Sequence, residues 1–470
     1  MDETLVKNQL HEVQITGCTS EGQGVTRVAG RVVFVKGALP GERCRIRILK
    51  AGRSAVYARI EEMLLPSPQR IVPDCPYYGR CGGCDFRHAV YSEELRIKLE
   101  RVNDAFRRIG GLELRAGGII AAPETDRYRA KAFFNVGEDK EGKPVTGFFR
   151  ARSHEVIPVE DCLLQHTEAN RAAAVLRRWM AEQRIPVYRE ESGTGLIRHL
   201  FVRSGMVCVV AAGRPRRTDS LVAELIRELP HLRSVVWNEN RSRGNTVLAG
   251  EFSTLWGEDQ VEVILSGLRF RLSPRSFFQV NPVQAERLYA LAVELAALSG
   301  GERVVDLYCG TGAIGLLAAS RAKEVTGVEA VQAAVEDAEK TAEENGIGNA
   351  RFLCADAAEA AARFAAEGMK PDVLFVDPPR KGLAPEVIGS IAEMGTGRVV
   401  YVSCDPATLA RDLKLFQSKG YRAEKAFAVD MFPRTRHVET VCCLYHQKKD
   451  FISVPYEPRN ADYLKKSSSE

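Results

Sequence analysis

The run Val399-Val400-Tyr401-Val402 ends in Ser403-Cys404-Asp405-Pro406, which puts a single thiol where a β-branched strand gives way to a turn. A thiol at a strand end can act as a nucleophile once it ionises, because the thiolate is the reactive form. Downstream, Glu439 in His437-Val438-Glu439-Thr440 supplies a carboxylate suited to removing a proton. A nucleophile with a base fits substitution at a carbon that stays inert until a thiolate adds to its neighbour. Taken singly, a cysteine beside a strand more often packs as a small hydrophobe, and a glutamate more often sits on the surface or caps a helix. Cys309, Cys442 and Cys443 fit that packed role better than Cys404 does.

A cofactor pattern lies upstream of the thiol. Gly310-Thr311-Gly312-Ala313-Ile314-Gly315 follows the predicted strand Arg303 to Leu307. In an alternating strand and helix domain, ligands bind at the carboxyl ends of the strands, so the loops after Leu307, Val328 and Val376 should converge on one crevice. Gly310 and Gly312 let backbone approach a ligand, and Glu329 can accept hydrogen bonds from both hydroxyls of a ribose. The glycine pattern alone suits a nicotinamide dinucleotide equally. Asp306 would repel a pyrophosphate but favours a cationic ligand, and Asp377-Pro378-Pro379-Arg380 resembles the loop of methyltransferases that use S-adenosylmethionine.

Cys75, Cys81 and Cys84 place three thiols in ten residues with glycines that permit tight wrapping. Three close thiols need a fourth ligand, and the spacing alone suits structural zinc or a four-iron cluster. Twelve cysteines without a secretory signal argue for thiols or metal ligands and against disulfides. No apolar run approaches the ~20 residues of a membrane span, so a cytoplasmic protein free of membrane is expected.

The elements that must position these groups fall into three regions and a tail. Residues 1–64 alternate short apolar strands with glycine turns, as in a five-strand oligonucleotide-binding barrel. Between Arg27 and Arg59 nine Lys or Arg face one acid, Glu42, a local +8 against +5 for the chain, which favours a polyanion. Residues 65–272 mix strand and helix patterns, including an amphipathic helix from Glu93 to Ile109, without revealing a topology. Residues 273–447 alternate regularly, with a helix from Pro282 to Leu298 and strands at 303–307, 325–328, 373–376 and 399–402, as in a doubly wound, Rossmann-like α/β domain. The tail, 448–470, is polar. The expected fold class is therefore multidomain α/β: a barrel, a mixed α+β middle region and a doubly wound sheet.

Five ordered motifs now come together: Ser273-Pro274-Arg275-Ser276-Phe277-Phe278-Gln279-Val280-Asn281, Asp306-Leu307-Tyr308-Cys309-Gly310, Asp377-Pro378-Pro379-Arg380-Lys381-Gly382, Ser403-Cys404-Asp405-Pro406 and His437-Val438-Glu439-Thr440. In this the sequence resembles the RNA uracil-C5 methyltransferase family. The resemblance implies Cys404 as the nucleophile toward uracil C6 and Glu439 as the base at C5. It also implies Gln279, Tyr308, Glu329 and Asp377 around S-adenosylmethionine, with Asp356 by its adenine. Relatives with this cysteine spacing carry a 4Fe-4S cluster, with Cys162 matching the fourth ligand after Cys75, Cys81 and Cys84. The amino-terminal region resembles the TRAM domain of the ribosomal-RNA branch, which implies 23S ribosomal RNA as partner to a monomeric chain. Phe277 or Phe278 is a candidate to stack on a flipped uracil. Two rival readings are an exocyclic-amine methyltransferase, which needs no cysteine, and a cluster-bearing RNA-binding protein with an idle methyltransferase fold.

Overall fold

The computed structural model describes residues 5–151, 153–214, 217–244 and 246–447; the tail expected over 448–470 lies outside the described residues. In the amino-terminal region, alternating burial along Arg31–Lys36 and Arg43–Ala51 turns Val33, Val35, Cys44, Ile46 and Ile48 into one small core. The sheet has six segments, one more than the sequence pattern suggests, in the order Leu10–Gln14, Arg43–Ala51, Val56–Leu65, Arg31–Lys36, Gly24–Val28, Gly17–Cys18. It curls back on itself: Thr26 Oγ1 donates to the Gln14 carbonyl at 2.7 Å, and the Thr16 amide donates to the Val25 carbonyl at 2.7 Å.

The concentrated positive charge read from this region is partly neutralised. Arg45 pairs with Glu12 at 2.9 Å and Glu62 at 2.6 Å, and Arg47 pairs with Glu61 at 2.8 Å. Arg59 also reaches Glu61, at 3.3 Å. These acids lie outside the stretch Arg27 to Arg59, and Glu12, Glu61 and Glu62 reach Arg45 and Arg47 from neighbouring strands, which a linear count cannot register.

The middle region builds a seven-stranded sheet in the order Val156–Pro158, Pro144–Phe149, Lys131–Glu138, Ile197–Arg203, Met206–Ala211, Ser234–Glu239, Glu251–Gly257. Helices Thr167–Glu182 and Asp219–Glu228 cover one face, burying Phe134, Leu200, Val209 and Trp237. From the other face Phe201, Cys208 and Val236 join the core of the carboxyl-terminal region, together with Phe270 and Phe278. A hairpin, Val261–Leu265 with Leu268–Leu272, bridges the two.

The carboxyl-terminal sheet has eight strands in the order Ala350–Cys354, Glu324–Glu329, Arg303–Leu307, Val373–Val376, Arg398–Ser403, Glu439–His446, Tyr421–Val429, Ile119–Ile120. The first five are parallel, and Glu439–His446 runs antiparallel to both of its neighbours. The helix at Pro282 forms as expected, over Pro282–Ala296, because Asn281 accepts the Gln284 amide at 3.2 Å and proline occupies the first turn. One segment crosses the regional boundaries. Helix Tyr91–Ala105 packs Val102 and Ala105 among Leu409, Ala410 and Leu413, and Ile119–Ile120 adds the eighth strand.

Candidate active site

The loops after Leu307, Val328 and Val376 converge as parallel-sheet geometry demands, on a cavity of about 1260 Å³. Gln279, Tyr308, Glu329, Asp377, Cys404 and Glu439 all line it, with Asp306, Arg380 and His437. Asp356 does not. It is exposed and caps helix Ala357–Ala366, accepting the Ala358 amide at 2.8 Å, although its charge adds to burial in pushing up the Tyr308 phenol.

Sheet register brings the thiol and the base together. Ser403 pairs with Thr440 across antiparallel strands, so Cys404 and Glu439 are the next two positions, opposite one another at the cavity rim. Cys404 is half-buried and precedes helix Pro406–Ser418, whose first amides are capped by Asp405 at 2.8 Å to Ala407 N. Burial, then the nearby Glu439 and Asp377 carboxylates, push the thiol up to about 11, while Arg380 opposes them. Glu439 is buried, and its carboxyl is pushed up to about 8 by desolvation, then Asp377, again opposed by Arg380. Desolvation holds the Asp377 carboxyl up at about 7.

The first loop shows why this sequence makes a cofactor site. Tyr308 adopts φ 64°, Gly310 57° and Gly312 81°, so the chain turns sharply through left-handed conformations before helix Ala313–Ala319 begins. A Cβ at Gly312 would stand 3.0 Å from the Phe352 ring. A non-glycine residue held in that region costs about 1 kcal/mol and persists where function or packing demands it. Asp306 accepts the Gly315 amide at 2.9 Å through one oxygen, while its other, buried oxygen has no partner. Burial pushes this carboxyl up to about 8. Both Glu329 oxygens are anchored, by Gly310 N at 3.1 Å and Val331 N at 2.9 Å, which leaves their outward lone pairs for a diol. An orphaned acid beside two further carboxylates and an anchored diol acceptor fits the donor set that S-adenosylmethionine requires.

The Ser273 to Asn281 motif resolves into separate jobs. Ser276 Oγ donates to Asp337 at 2.7 Å, Phe278 is buried in the core, and Gln279 hydrogen-bonds the buried Tyr289 phenol. Phe277 is 64% exposed at the cavity, with Lys131 Nζ 5.0 Å from its ring centre. Tyr289, Arg380 and His437 were not singled out as site residues from the sequence. The one signal for Tyr289 was a hydroxyl on the apolar face of a helix. Cys442 and Cys443 are buried as expected, whereas Cys309 packs against the core and also lines the cavity.

A second, small cavity of about 50 Å³ is lined by Cys75, Cys81, Cys84 and Cys162, brought together although Cys162 is remote in sequence. Arg87 and Arg129 line it too; Arg129 Nε is buried without a hydrogen-bond partner, and Arg87 donates to Asp74 at 2.8 Å. A Cβ on Gly83 would lie 3.4 Å from Cys81 Sγ. Four thiols, two cations and a glycine cradle suit an anionic metal-thiolate group. Among the described residues, no three His, Cys, Asp or Glu side chains converge closely enough for a single metal ion.

Comparison with known proteins agrees with the fold. The tRNA (Uracil-5-)-methyltransferase family matches residues 240–448, and the TRAM domain matches residues 7–60. An RNA methyltransferase of Caldanaerobacter subterraneus is 41% identical over 438 residues, covering 92% of this chain and 97% of that protein. One of Halalkalibacterium halodurans is 39% identical, covering 93% and 97%. The crystal structure of the Pyrococcus abyssi tRNA (uracil-54, C5)-methyltransferase, in complex with S-adenosyl-L-homocysteine, superposes with a TM-score of 0.74 at 26% identity, over 92% of this chain and 100% of that one. With a TRAM domain ahead of a uracil-5-methyltransferase domain, and relatives matched over almost their whole length, this chain belongs to the S-adenosylmethionine-dependent RNA (uracil-5) methyltransferase family.

Proposed function

We propose that this protein makes 5-methyluridine in 23S ribosomal RNA through a covalent bond between Cys404 and uracil C6. The observation that carries the mechanism is the strand register, which sets Cys404 opposite Glu439 at the rim of the cofactor cavity. The Cys404 thiolate adds to C6, and C5 becomes a nucleophile. S-adenosylmethionine, when bound, supplies the methyl group at an electrophilic sulfonium. Glu439 then takes the C5 proton, and the electrons released expel the thiolate, restoring the ring. Arg380 is the nearby cation that favours the thiolate and the ionised Glu439.

In this reading Gln279, Tyr308, Glu329 and Asp377 hold the cofactor, and Asp306 offers its free oxygen to the cationic amino-acid end, while Asp356 is occupied as a helix cap outside the cavity. Phe277 is the candidate stacking surface for the extruded base, since Phe278 is in the core.

The four-cysteine cavity is proposed to hold a 4Fe-4S cluster in a structural role. A single tetrahedral zinc at about 2.3 Å per sulfur needs sulfurs in mutual contact. The thiols share a cavity without converging in that way, and Cys75, Cys81, Cys84 and Cys162 would instead hold a cluster whose negative charge Arg87 and Arg129 would balance.

The Pyrococcus abyssi enzyme favours transfer RNA as a second substrate reading. A match over 92% of this chain extends into the amino-terminal sheet, so that sheet does not by itself separate ribosomal from transfer RNA enzymes. Ribosomal and transfer RNA transcripts tritiated at uracil C5 decide the matter. Cofactor-dependent release of tritium to water from the ribosomal transcript supports the proposal, and release from the transfer RNA transcript alone replaces the substrate. Methyl incorporation without release would instead mean nitrogen methylation.

A further inference from the structure

The segment 430–438, which connects strand Tyr421–Val429 to Glu439, carries Phe432 and His437 into the active cavity. Its own backbone is strained: Arg434 adopts φ 67°, a left-handed conformation that costs a long side chain about 1 kcal/mol. Such a conformation lasts only where surrounding contacts hold it, and here they come from the amino-terminal half of the chain.

The turn after Cys84 makes the most direct of these contacts. The Asp85 and Phe86 amides both donate to the Arg434 carbonyl, at 2.9 and 3.1 Å. Asp85 Oδ2 accepts the Arg436 amide at 2.9 Å, next to His437 and three residues before Glu439. Glu94 takes the Arg434 amide at 2.7 Å, and Tyr128 donates to the Pro433 carbonyl at 2.9 Å. Asp85 therefore holds the chain twice on the carboxyl-terminal side of the strained residue, once through its main chain and once through its carboxylate, while Glu94 and Tyr128 hold the side before it.

We propose that Asp85 is a positioning residue for the proton-abstraction step: its carboxylate holds the Arg436 amide and thereby fixes where Glu439 enters the cavity. The inference rests on Glu439 being the base. Asp85 does not line the cavity, and its carboxylate supplies a hydrogen-bond acceptor to the Arg436 amide, with a longer ion pair to the Arg436 guanidinium at 4.0 Å. An asparagine retains that acceptor, whereas an alanine does not.

The test uses the full-length protein with RNA tritiated at uracil C5 in single turnovers, following tritium release and denaturant-stable protein–RNA adduct together. Asp85→Ala should slow release roughly tenfold to a hundredfold, the effect of an ångström-scale misplacement. Adduct should accumulate while the KM for RNA and the affinity for S-adenosylhomocysteine stay near wild type. Asp85→Asn should restore most of the release rate. Release at the wild-type rate in Asp85→Ala overturns the proposal, and so does an Asp85→Asn as slow as the alanine variant, since charge or folding would then be the cause. Glu439→Gln in the same assay separates the two claims. If it stalls as adduct while Asp85→Ala does not, only the positioning role fails; if it releases tritium normally, the role of Glu439 fails first.

Discussion

Lys98 and Asp430 stand 332 positions apart in the chain, yet their side chains meet at 2.6 Å with both wholly buried. Glu94, also buried, reaches the same ammonium at 2.6 Å, and the Phe432 carbonyl accepts from it at 3.1 Å. One cation thus joins helix Tyr91–Ala105 to the segment that leads to Glu439. Burial alone would lower the Lys98 ammonium, but the two carboxylates outweigh it and hold it above its ordinary value.

Removing this cation leaves two buried carboxylates with only the Arg434 amide and guanidinium on Glu94 and the Tyr91 hydroxyl on Asp430. Lys98→Met is expected to lose about 3–5 kcal/mol of unfolding free energy, the usual cost of breaking a buried pair from one side. Adding Glu94→Gln and Asp430→Asn should recover part of that loss, and denaturant melts of the three proteins measure both quantities.

Cys404→Ala is expected to abolish methyl transfer and adduct formation while leaving S-adenosylhomocysteine affinity within about twofold, because the thiol is required for chemistry but not for holding the cofactor. Calorimetric titration beside a methylation assay checks this, and a variant with wild-type turnover would end the covalent scheme.

Thiol reactivity should follow the neighbouring charge. Glu439 ranks next after burial among the causes that raise the Cys404 thiol. Glu439→Gln should therefore increase the rate of iodoacetamide alkylation at Cys404, measured by mass spectrometry at about pH 9, above the value of about 8 at which the wild-type glutamate ionises.

The cavity carboxylates also set a pH dependence. Asp306, Asp377 and Glu439 ionise in the folded protein at about 8, 7 and 8, against ordinary values of 3.8, 3.8 and 4.5. Between those limits the native state holds protons that the unfolded chain has released, so stability falls as pH rises. The contribution is complete below about pH 4 and lost by about pH 8. The melting temperature of the ligand-free protein should decline across this window. S-adenosylmethionine, a cation, should raise it more at about pH 8 than at about pH 6, which differential scanning fluorimetry can follow.

Anaerobically purified protein should contain iron and sulfide with broad visible absorbance, and Cys84→Ser or Cys162→Ser should lower the iron content markedly. Iron at background level in the wild-type protein would leave the cysteine cavity as a packed thiol pocket.

Much of the cofactor site was legible in the sequence because its signals are local. Strands Arg303–Leu307 and Val373–Val376 fall on short apolar, valine-containing runs. The glycine turn lies where the strand stops, and Asn281-Pro282 starts its helix for reasons contained in two residues. Parallel-sheet geometry brings the loops carrying Tyr308, Glu329 and Asp377 together, and the family resemblance added Gln279; all four line the cavity. Asp356 followed the same logic, but its side chain turned outward to cap a helix.

By itself the sequence pointed to the strands and helices of the carboxyl-terminal region and to a cofactor crevice, which follow from periodicity, turn chemistry and short-range spacing, while Cys404 and Glu439 were named as reactive side chains through the family resemblance. Only the tertiary structure decided what depends on contacts between distant segments. It set the register that puts Cys404 opposite Glu439, the pairing of Arg45 and Arg47 with acids on other strands, and the gathering of Cys162 with three earlier thiols. It also assigned residues 91–120 to the carboxyl-terminal sheet. The physical reason is that a buried charge such as Lys98 is tolerable only beside its partner, and no local pattern says that the partner is Asp430.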